Sequence, residues 1–375
     1  MLQQSSEAMR LLFTNKQFTM LKLKQFLLCG LVCWLASCSK DNLQPPIDRT
    51  SVPRTMGVFI ENNYDLSLLN AALKKTGLYD TLINNGPFTL MAPDNNAFNL
   101  IGISTIEQIE SLNTDSLREV LKYHIIRNRY FTNMLPLQLD NKYITLSGAP
   151  MHVSVDVSNY FTASDRMIVI NGAIMGKGTK RDIALANGVI HIVTRPLGYN
   201  KMTTQEYIAA DTSLSFFVAA MKQFKLWDNL KENNPVTIFV PTNNAFLKNN
   251  ITLEKIKAMN PADYSPVTFG IYALMMKPMR IFTTDGYMIG QLNINGGSIA
   301  RVDSTYGVSP NYSTWSGNKA EIWIYKWKGG SWVVNTEGPA SIQYNQGFSN
   351  CDHLCNNGVV HIVDDIFLQP DLMKR

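Results

Sequence analysis

Two clusters of side chains in this sequence have the types and spacing that chemistry would need. In CDHLC, Cys351, His353 and Cys355 recur at every second residue and could offer two thiolates and an imidazole to zinc. Zinc sites built on closely spaced cysteines take a second pair of ligands from farther along the chain. No such pair exists, because Cys29, Cys33 and Cys38 all fall near the start. In an oxidising exported compartment, Cys351 and Cys355 are expected to close a small disulfide loop rather than to hold metal. Asp364-Asp365 is the second cluster. Adjacent strand residues point to opposite faces, so these carboxyls cannot converge across one glycosidic bond as a glycosidase pair must. GxSxG, HExxH and a Gly-rich phosphate loop are missing, and the five histidines lie in separate segments. The chain reads as non-catalytic, with no catalytic residue, metal or cofactor expected.

Binding chemistry is better represented. Trp315, Trp323, Trp327 and Trp332, four of the six tryptophans, lie within 18 residues. EIWIYKWKGGSWVV has the pattern of a hairpin turning at Gly329-Gly330, which sets Trp327 opposite Trp332 and Tyr325 opposite Val334. Alternation then puts Trp323, Tyr325, Trp327, Trp332 and Val334 on one face and Ile322, Ile324, Lys326 and Val333 on the other. With the Ile face inward, a row of aromatics is left outside, suited to stacking on sugar rings, with Lys326, Lys328, Asn318 and Asn335 as polar neighbours. With the hairpin reversed, the aromatics serve the core. Both orientations satisfy the pattern.

The elements that would position these residues come as a duplication. FTLMAPDNNAF (88 to 98) recurs as VTIFVPTNNAF (236 to 246), at an offset of 148 that also holds for LYDTL (78 to 82) and LWDNL (226 to 230). NGVIHIV (187 to 193) recurs as NGVVHIV (357 to 363) at an offset of 170, so copy two carries 22 extra residues, expected as an aromatic-rich insertion at about 303 to 350. FTLMAP and VTIFVP are continuous apolar runs of strand length, as expected of strands covered on both faces. Asn95-Asn96 and Asn243-Asn244 are expected to turn the chain and cap the next helix. Asp65 is expected to cap a helix that Gly77 ends, and TIEQIESLN (105 to 113) and LREVLKYHII (117 to 126) read as two further helices. In the closing strand, Val189, His191 and Val193 share one face, and His191 and His361 are expected to tie strand to loop through both ring nitrogens.

A TLMAPDNNAF-type segment, a helix ending in Tyr123-His124 and a closing NGVIHIV strand together resemble the fasciclin-like domain, over nearly all of residues 53 to 370. The resemblance implies an α+β fold in two tandem domains, each a β-sandwich-like wedge flanked by helices, spanning 53 to 197 and 203 to 370. It also implies adhesion rather than catalysis. Asn187, His191, Asn357 and His361 fall in the family's closing motif. Tyr123-His124 and Asp182-Ile183 match elements linked to protein interaction in animal members, with a buried, hydrogen-bonded His124 as the other reading. In copy two, Leu274-Met275 falls where the Tyr-His should be. GYNKMTT (198 to 204) is all that separates the domains, short enough to fix their orientation.

The first residues point to export. FLLCGLVCWLA (26 to 36), preceded by Lys22 and Lys24, is a charged-then-apolar signal pattern too short for a span, and Met20 opens it better than Met1. LASC resembles a bacterial lipobox, which implies cleavage after residue 37 and lipidation of Cys38. SKDN after Cys38 resembles the start of surface-exposed lipoproteins of the Bacteroidetes group. Residues 38 to 52, with Pro45-Pro46 and no apolar period, then form a tether. Four cations (Arg10, Lys16, Lys22, Lys24) and Glu7 leave with the first 37 residues, so the formal charge falls from +5 to +2, too little for a nucleic-acid footprint. The expected partners are a membrane through the lipid anchor, and a surface protein or, alternatively, an extracellular glycan at the outer membrane.

Overall fold

The computed structural model describes residues 53–156, 166–231, 235–276, 280–285, 300–313, 319–334, 341–343 and 351–375. Cys38, the signal and tether segments, and Trp315, Asn318 and Asn335 of the aromatic region lie outside these residues. Residues 54 to 375 form one compact unit. Among the described residues, no helix is long and apolar enough to cross a membrane.

Copy one is built on β1 (Phe88–Pro93) and β8 (Gly188–Val193), a parallel pair in which every residue is buried. β2 (Ile125–Arg127) flanks β1 and β7 (Ile183–Leu185) flanks β8, both antiparallel. Strict alternation divides the pair between two layers. Phe88, Leu90, Ala92, Ile190 and Ile192 enter one core with the helices, whereas Met91 and Val193 enter another. This is why the sequence shows unbroken apolar runs there rather than a half-polar alternation. The second layer is a sheet in the order β3 (Asn141–Ile144), β4 (Pro150–Val155), β5 (Ile168–Ile170), β6 (Ala173–Ile174), whose Met151, Val153, Ile168 and Ile170 meet Met91 and Val193.

On the other side pack α1 (Met56–Glu61), α2 (Ser67–Thr76), α3 (Leu78–Asn84), α4 (Asn95–Asn99), α5 (Ile106–Ser111) and α6 (Thr114–Tyr123). Leu69, Ala72, Leu73 and Leu121 are buried in the helix-side core. Gly77 ends α2 in the left-handed conformation, as expected. The capping is otherwise different from the sequence expectation. Asn63, not Asp65, accepts the amide of the turn before α2. Asp94 caps α4 by accepting the Ala97 amide at 2.9 Å, and Thr242 does the same for Ala245 at 3.2 Å in copy two. The neighbouring Asn95 reaches sideways, accepting the Leu68 amide of α2 at 3.1 Å and donating to the Tyr64 carbonyl at 2.9 Å. Asn243 repeats this with Phe216 and Thr212. The Asn pair thus braces one helix with the start of another, and Asp-to-Thr exchange is silent because both side chains accept at an N-cap.

Copy two follows the same plan with α7 (Thr204–Ala210), α8 (Ser215–Gln223), β9 (Val236–Pro241), α9 (Asn243–Lys248), α10 (Leu253–Ala258), α11 (Val267–Gly270) and the parallel pair β9 with β16 (Gly358–Val363). Its second sheet runs β10 (Ala300–Arg301), β11 (Tyr306–Ser313), β12 (Lys319–Lys328), β13 (Ser331–Val334), with β14 (Ser341–Gln343) also on β12. The aromatic-rich stretch is therefore not an appendage. It holds most of the second sheet itself, with three-residue β5 replaced by ten-residue β12.

Gly188 and Gly358 open the two closing strands, and a Cβ on either would fall on the carbonyl oxygen of Phe88 or Val236 across the parallel pair. Gly188→Ala and Gly358→Ala are each expected to lower stability by about 1–3 kcal/mol, read as a shift in urea midpoint. Gly198→Ala, with nothing within 4 Å of the new methyl, is the control that should leave the midpoint in place.

Candidate functional site

The motif residues tie the segments around each parallel pair to its closing strand, the asparagine from just before that strand and the histidine from its middle. Asn187, just before β8, accepts the Met56 amide at 2.8 Å and donates to the carbonyls of Leu82 at 2.7 Å and Asn85 at 2.8 Å. Asn357 accepts the Thr204 amide and donates to Leu230, both at 2.8 Å. Each asparagine ties the first helix of its copy and the turn before its first strand to its last strand.

His191 accepts the Asp182 amide on Nδ1 at 3.1 Å and donates from Nε2 to the Tyr130 carbonyl at 2.8 Å. His361 accepts from Asp352 at 3.2 Å and donates to Ile281 at 2.9 Å. With Nδ1 accepting and Nε2 donating, each ring is neutral, and burial lowers the pKa of both. Asp182 and Asp352 have positive φ, a left-handed turn that a short acidic side chain tolerates. Each carboxylate closes the loop onto a threonine. Asp182 accepts the amide of Thr132 at 2.7 Å and its hydroxyl, and Asp352 accepts both groups of Thr283 at 2.7 Å.

Tyr123 and His124 do not form a surface. Both are buried, with Tyr123 donating to the Pro150 carbonyl at 2.8 Å and accepting from Asn171 at 2.6 Å. His124 sits with Nδ1 2.8 Å from the Val120 carbonyl and Nε2 accepting the Leu197 amide at 2.9 Å, and burial lowers its pKa to about 4. Of the two readings of this pair, the buried, hydrogen-bonded His124 is the one found, and the protein-interaction reading is corrected, since both side chains are buried. In copy two the amide equivalent to Leu197 is that of Phe367, and the Tyr272 hydroxyl accepts it at 2.8 Å. A tyrosine from a neighbouring position supplies the acceptor that Leu274-Met275 cannot. Of the Asp-Ile element, Ile183 is half-buried against the helix-side core and Asp182 keeps a 35% exposed side chain.

Cys351 and Cys355 are buried free thiols, which corrects the disulfide expectation. Residues 353 to 355 are β15, hydrogen-bonded along β16. Burial pushes the Cys355 thiol up to about 12 and raises that of Cys351 as well.

The same segment joins the copies, and here sequence reasoning missed the residues that matter. Arg195, just beyond β8, is ion-paired with Asp352 of copy two, and its guanidinium donates to the Asn171 carbonyl at 3.3 Å. Burial alone would raise the Asp352 carboxyl, but Arg195, with the Thr283 hydroxyl, outweighs it and holds it below its usual range. Arg280 approaches Asp140 at 3.5 Å, Tyr199 reaches Asn356 at 3.3 Å, and Phe282, Leu354 and Val359 share one core with Met151, Val153 and Leu197. Asp352 lay inside CDHLC, which draws attention to its cysteines. Its place 170 residues after Asp182 was the signal that could have found it.

The hairpin has the register read from the sequence, with Trp327 opposite Trp332 and Lys328 opposite Ser331 across Gly329-Gly330. Ile322 and Ile324 are wholly buried, so the Ile face packs inward. Trp323, Tyr325 and Trp332 are half-buried on the outer face, and Trp327 is 41% exposed, meeting Trp332 edge-on at 5.3 Å between ring centroids.

Asp285 lies at the joint between the copies. Burial, opposed by the Phe282 amide and assisted by Asp352 and Asp140, raises its carboxyl to about 7. A carboxyl with a folded pKa above its unfolded value of ~3.9 loses its contribution to stability as pH climbs from the lower value through the higher. Asp285→Asn, which cannot ionise, should therefore gain stability relative to the natural chain between pH 5 and pH 8, on the order of 1.4 kcal/mol per pH unit up to about 7. Paired urea titrations across that range check it, and parallel curves would refute it.

A fasciclin domain model matches residues 64–199 and 212–267. The chain is 28% identical over 197 residues to transforming growth factor-beta-induced protein ig-h3 of Sus scrofa, covering 52% of this chain and 27% of that protein. It is 30% identical over 137 residues to the cell surface glycolipoprotein MPB83 of Mycobacterium bovis, covering 35% of this chain and 54% of that protein. The chain thus spans about a quarter of the length of the first relatives it matches. A solved FAS1 domain pair from the insect cell adhesion molecule fasciclin I aligns with 82% of this chain and 97% of its own, at 17% identity and a TM-score of 0.35.

Proposed function

The chain belongs to the fasciclin domain family, and from that premise we propose that it is a non-catalytic cell-surface lipoprotein that acts by binding another protein. The observation that carries this reading is how the motif side chains are used. His124, His191 and His361 are buried with both ring nitrogens engaged by backbone groups, and Asn187, Asn357, Asp182 and Asp352 likewise hold backbone. A protein whose polar motif residues are committed to holding its own backbone has surfaces to offer rather than a reaction centre. The bacterial relative named a cell surface glycolipoprotein supports the location. The domain limits are 53 to 197 and 203 to 370, with the lipid on Cys38 and residues 39 to 52 as tether. The anchoring membrane is the outer membrane of a Bacteroidetes-type cell, with the body facing outward.

A second reading is favoured by one observation. The inward Ile322 and Ile324 leave Trp323, Tyr325, Trp327 and Trp332 on the outer face, where the exposed Trp327 indole is braced edge-on by Trp332. Aromatic faces of this kind suit the apolar faces of sugar rings, which makes an extracellular glycan the alternative ligand.

Replacing the anchor cysteine, Cys38→Ser, should move the protein from the membrane to the soluble fraction or leave it at precursor mass. Unchanged fractionation together with unchanged mass would overturn the lipid anchor. Partner class is decided by a paired test on cells that display the protein. A photoreactive residue at exposed Met134 should give a protein adduct, and native gels with a polysaccharide panel should show no retardation. Retardation that Trp327→Ala abolishes, without any protein adduct, would replace the first reading with the second.

A further inference from the structure

The two copies carry the same clamp in different states. In copy two, Asp352 is held by the amide and hydroxyl of Thr283, its own amide is fixed by His361, and its remaining capacity is used by the guanidinium of Arg195. In copy one, Asp182 is held by Thr132 and its amide is fixed by His191 in the same arrangement. There the match stops. Among the described residues no cation is bonded to Asp182: Lys180 reaches Asp94 at 3.4 Å, and Arg181 donates to the Arg166 carbonyl at 2.9 Å. Its side chain is 35% exposed, against 2% for Asp352.

We propose that the Asp182–Thr132 clamp of copy one is a docking site for an arginine side chain of a partner protein. The proposal deepens the protein-binding reading and rests on it. Copy two supplies the worked case, since a carboxylate oriented by the same threonine and histidine there accepts an arginine from outside its own repeat. A guanidinium fits a carboxylate already fixed by other donors, because its planar fork loses little freedom on pairing. Apolar surface adjoins the site. Met134 ends the single turn that begins at Thr132 and is 55% exposed, as is nearby Leu137. Phe131 is half-buried, whereas its counterpart Phe282 is buried in the joint with Leu197. The partner segment therefore carries an arginine flanked by apolar residues.

A second copy of this chain does not meet that description. Stacking copy two of one molecule on copy one of another, in the manner of the internal joint, would bring the counterpart of Arg195 to Asp182. That counterpart, 170 residues on, is Asp365, so carboxylate would face carboxylate. Asp365 is itself engaged with Lys248 at 2.8 Å and Asn249 at 2.7 Å.

The test uses the full chain and a labelled peptide with the sequence of residues 194 to 200, Thr-Arg-Pro-Leu-Gly-Tyr-Asn, which presents in free form the arginine that fills the clamp of copy two. Fluorescence anisotropy should show saturable binding that weakens about tenfold in Asp182→Asn, and by a similar factor when citrulline replaces arginine in the peptide. Asp365→Asn should leave it unchanged. The citrulline arm requires no change in the protein, so a poorly folded variant cannot decide the result. Binding that survives citrulline and Asp182→Asn but is lost in Met134→Arg overturns arginine recognition while leaving a protein-binding face. An absence of saturable binding overturns the proposal, and the adduct test at Met134 then reports separately on the wider reading.

Discussion

A parallel pair of strands buried on both faces cannot leave its ends to water, and the rest of this structure depends on how those ends are closed. Each buried backbone group of the segments that bracket β1 and β8 must find a partner inside the protein, because an unpaired buried amide or carbonyl costs about 1–3 kcal/mol. Few side chains both donate and accept in fixed directions, and Asn and neutral His do so with the shortest reach. Asn187 and His191, and again Asn357 and His361, do this for the segments that bracket the pair, Asn187 holding Met56 and Leu82 and His191 holding Asp182 and Tyr130. Thr89 and Thr237 complete the set by accepting the amides of Tyr130 at 2.8 Å and Ile281 at 2.9 Å. The repeated motif thus encodes closure around the buried pair in two places with one solution.

Where the copies differ, the physical task is kept and the residue that performs it changes. Asp94 becomes Thr242, and the N-cap survives because an oxygen at the same reach accepts the same amide. His124 has no counterpart, yet its acceptor role passes to Tyr272, which reaches Phe367 from two residues before Leu274. The second sheet diverges most, with β5 replaced by the much longer β12, because only its inner face is constrained by the core. Ile322 and Ile324 meet that constraint, and the outer face was free to become aromatic.

Much of this was legible in the sequence. The duplication, the buried strand pair, the neutral His191 and His361 bridges and the hairpin register about Gly329-Gly330 all follow from local periodicity or from a repeat offset. Other features were not. Period 2 assigns Trp327 and Ile324 to opposite faces but cannot say which faces inward, since that depends on a core built from residues far away, such as Val308 and Phe367. The bracing by Asn95 connects it to Leu68, 27 residues earlier, and no local pattern marks that. Cys351 and Cys355 mislead because the expectation of a disulfide came from the compartment and not from the backbone between them, and Tyr123-His124 left two readings open because a family motif does not declare whether it is read by a partner or by the backbone.

The joint between the copies shows what this loop closure makes available. A carboxylate that serves to close a loop is already desolvated and oriented by Thr283, so part of the cost of burying the charge of Asp352 is met before Arg195 arrives. Adding the guanidinium then requires burial of one further charge with directed partners in place, Asp352 on one side and the Asn171 carbonyl on the other. Gly172 makes the approach feasible, for its positive φ and missing Cβ leave the space that Arg195 and Asp352 occupy. Apolar contact alone, through Phe282, Leu354 and Leu197, would hold the copies together at several neighbouring angles. An ion pair with fixed geometry at both ends tolerates one, so the short connection from Gly198 to Thr204 does not have to set the orientation by itself.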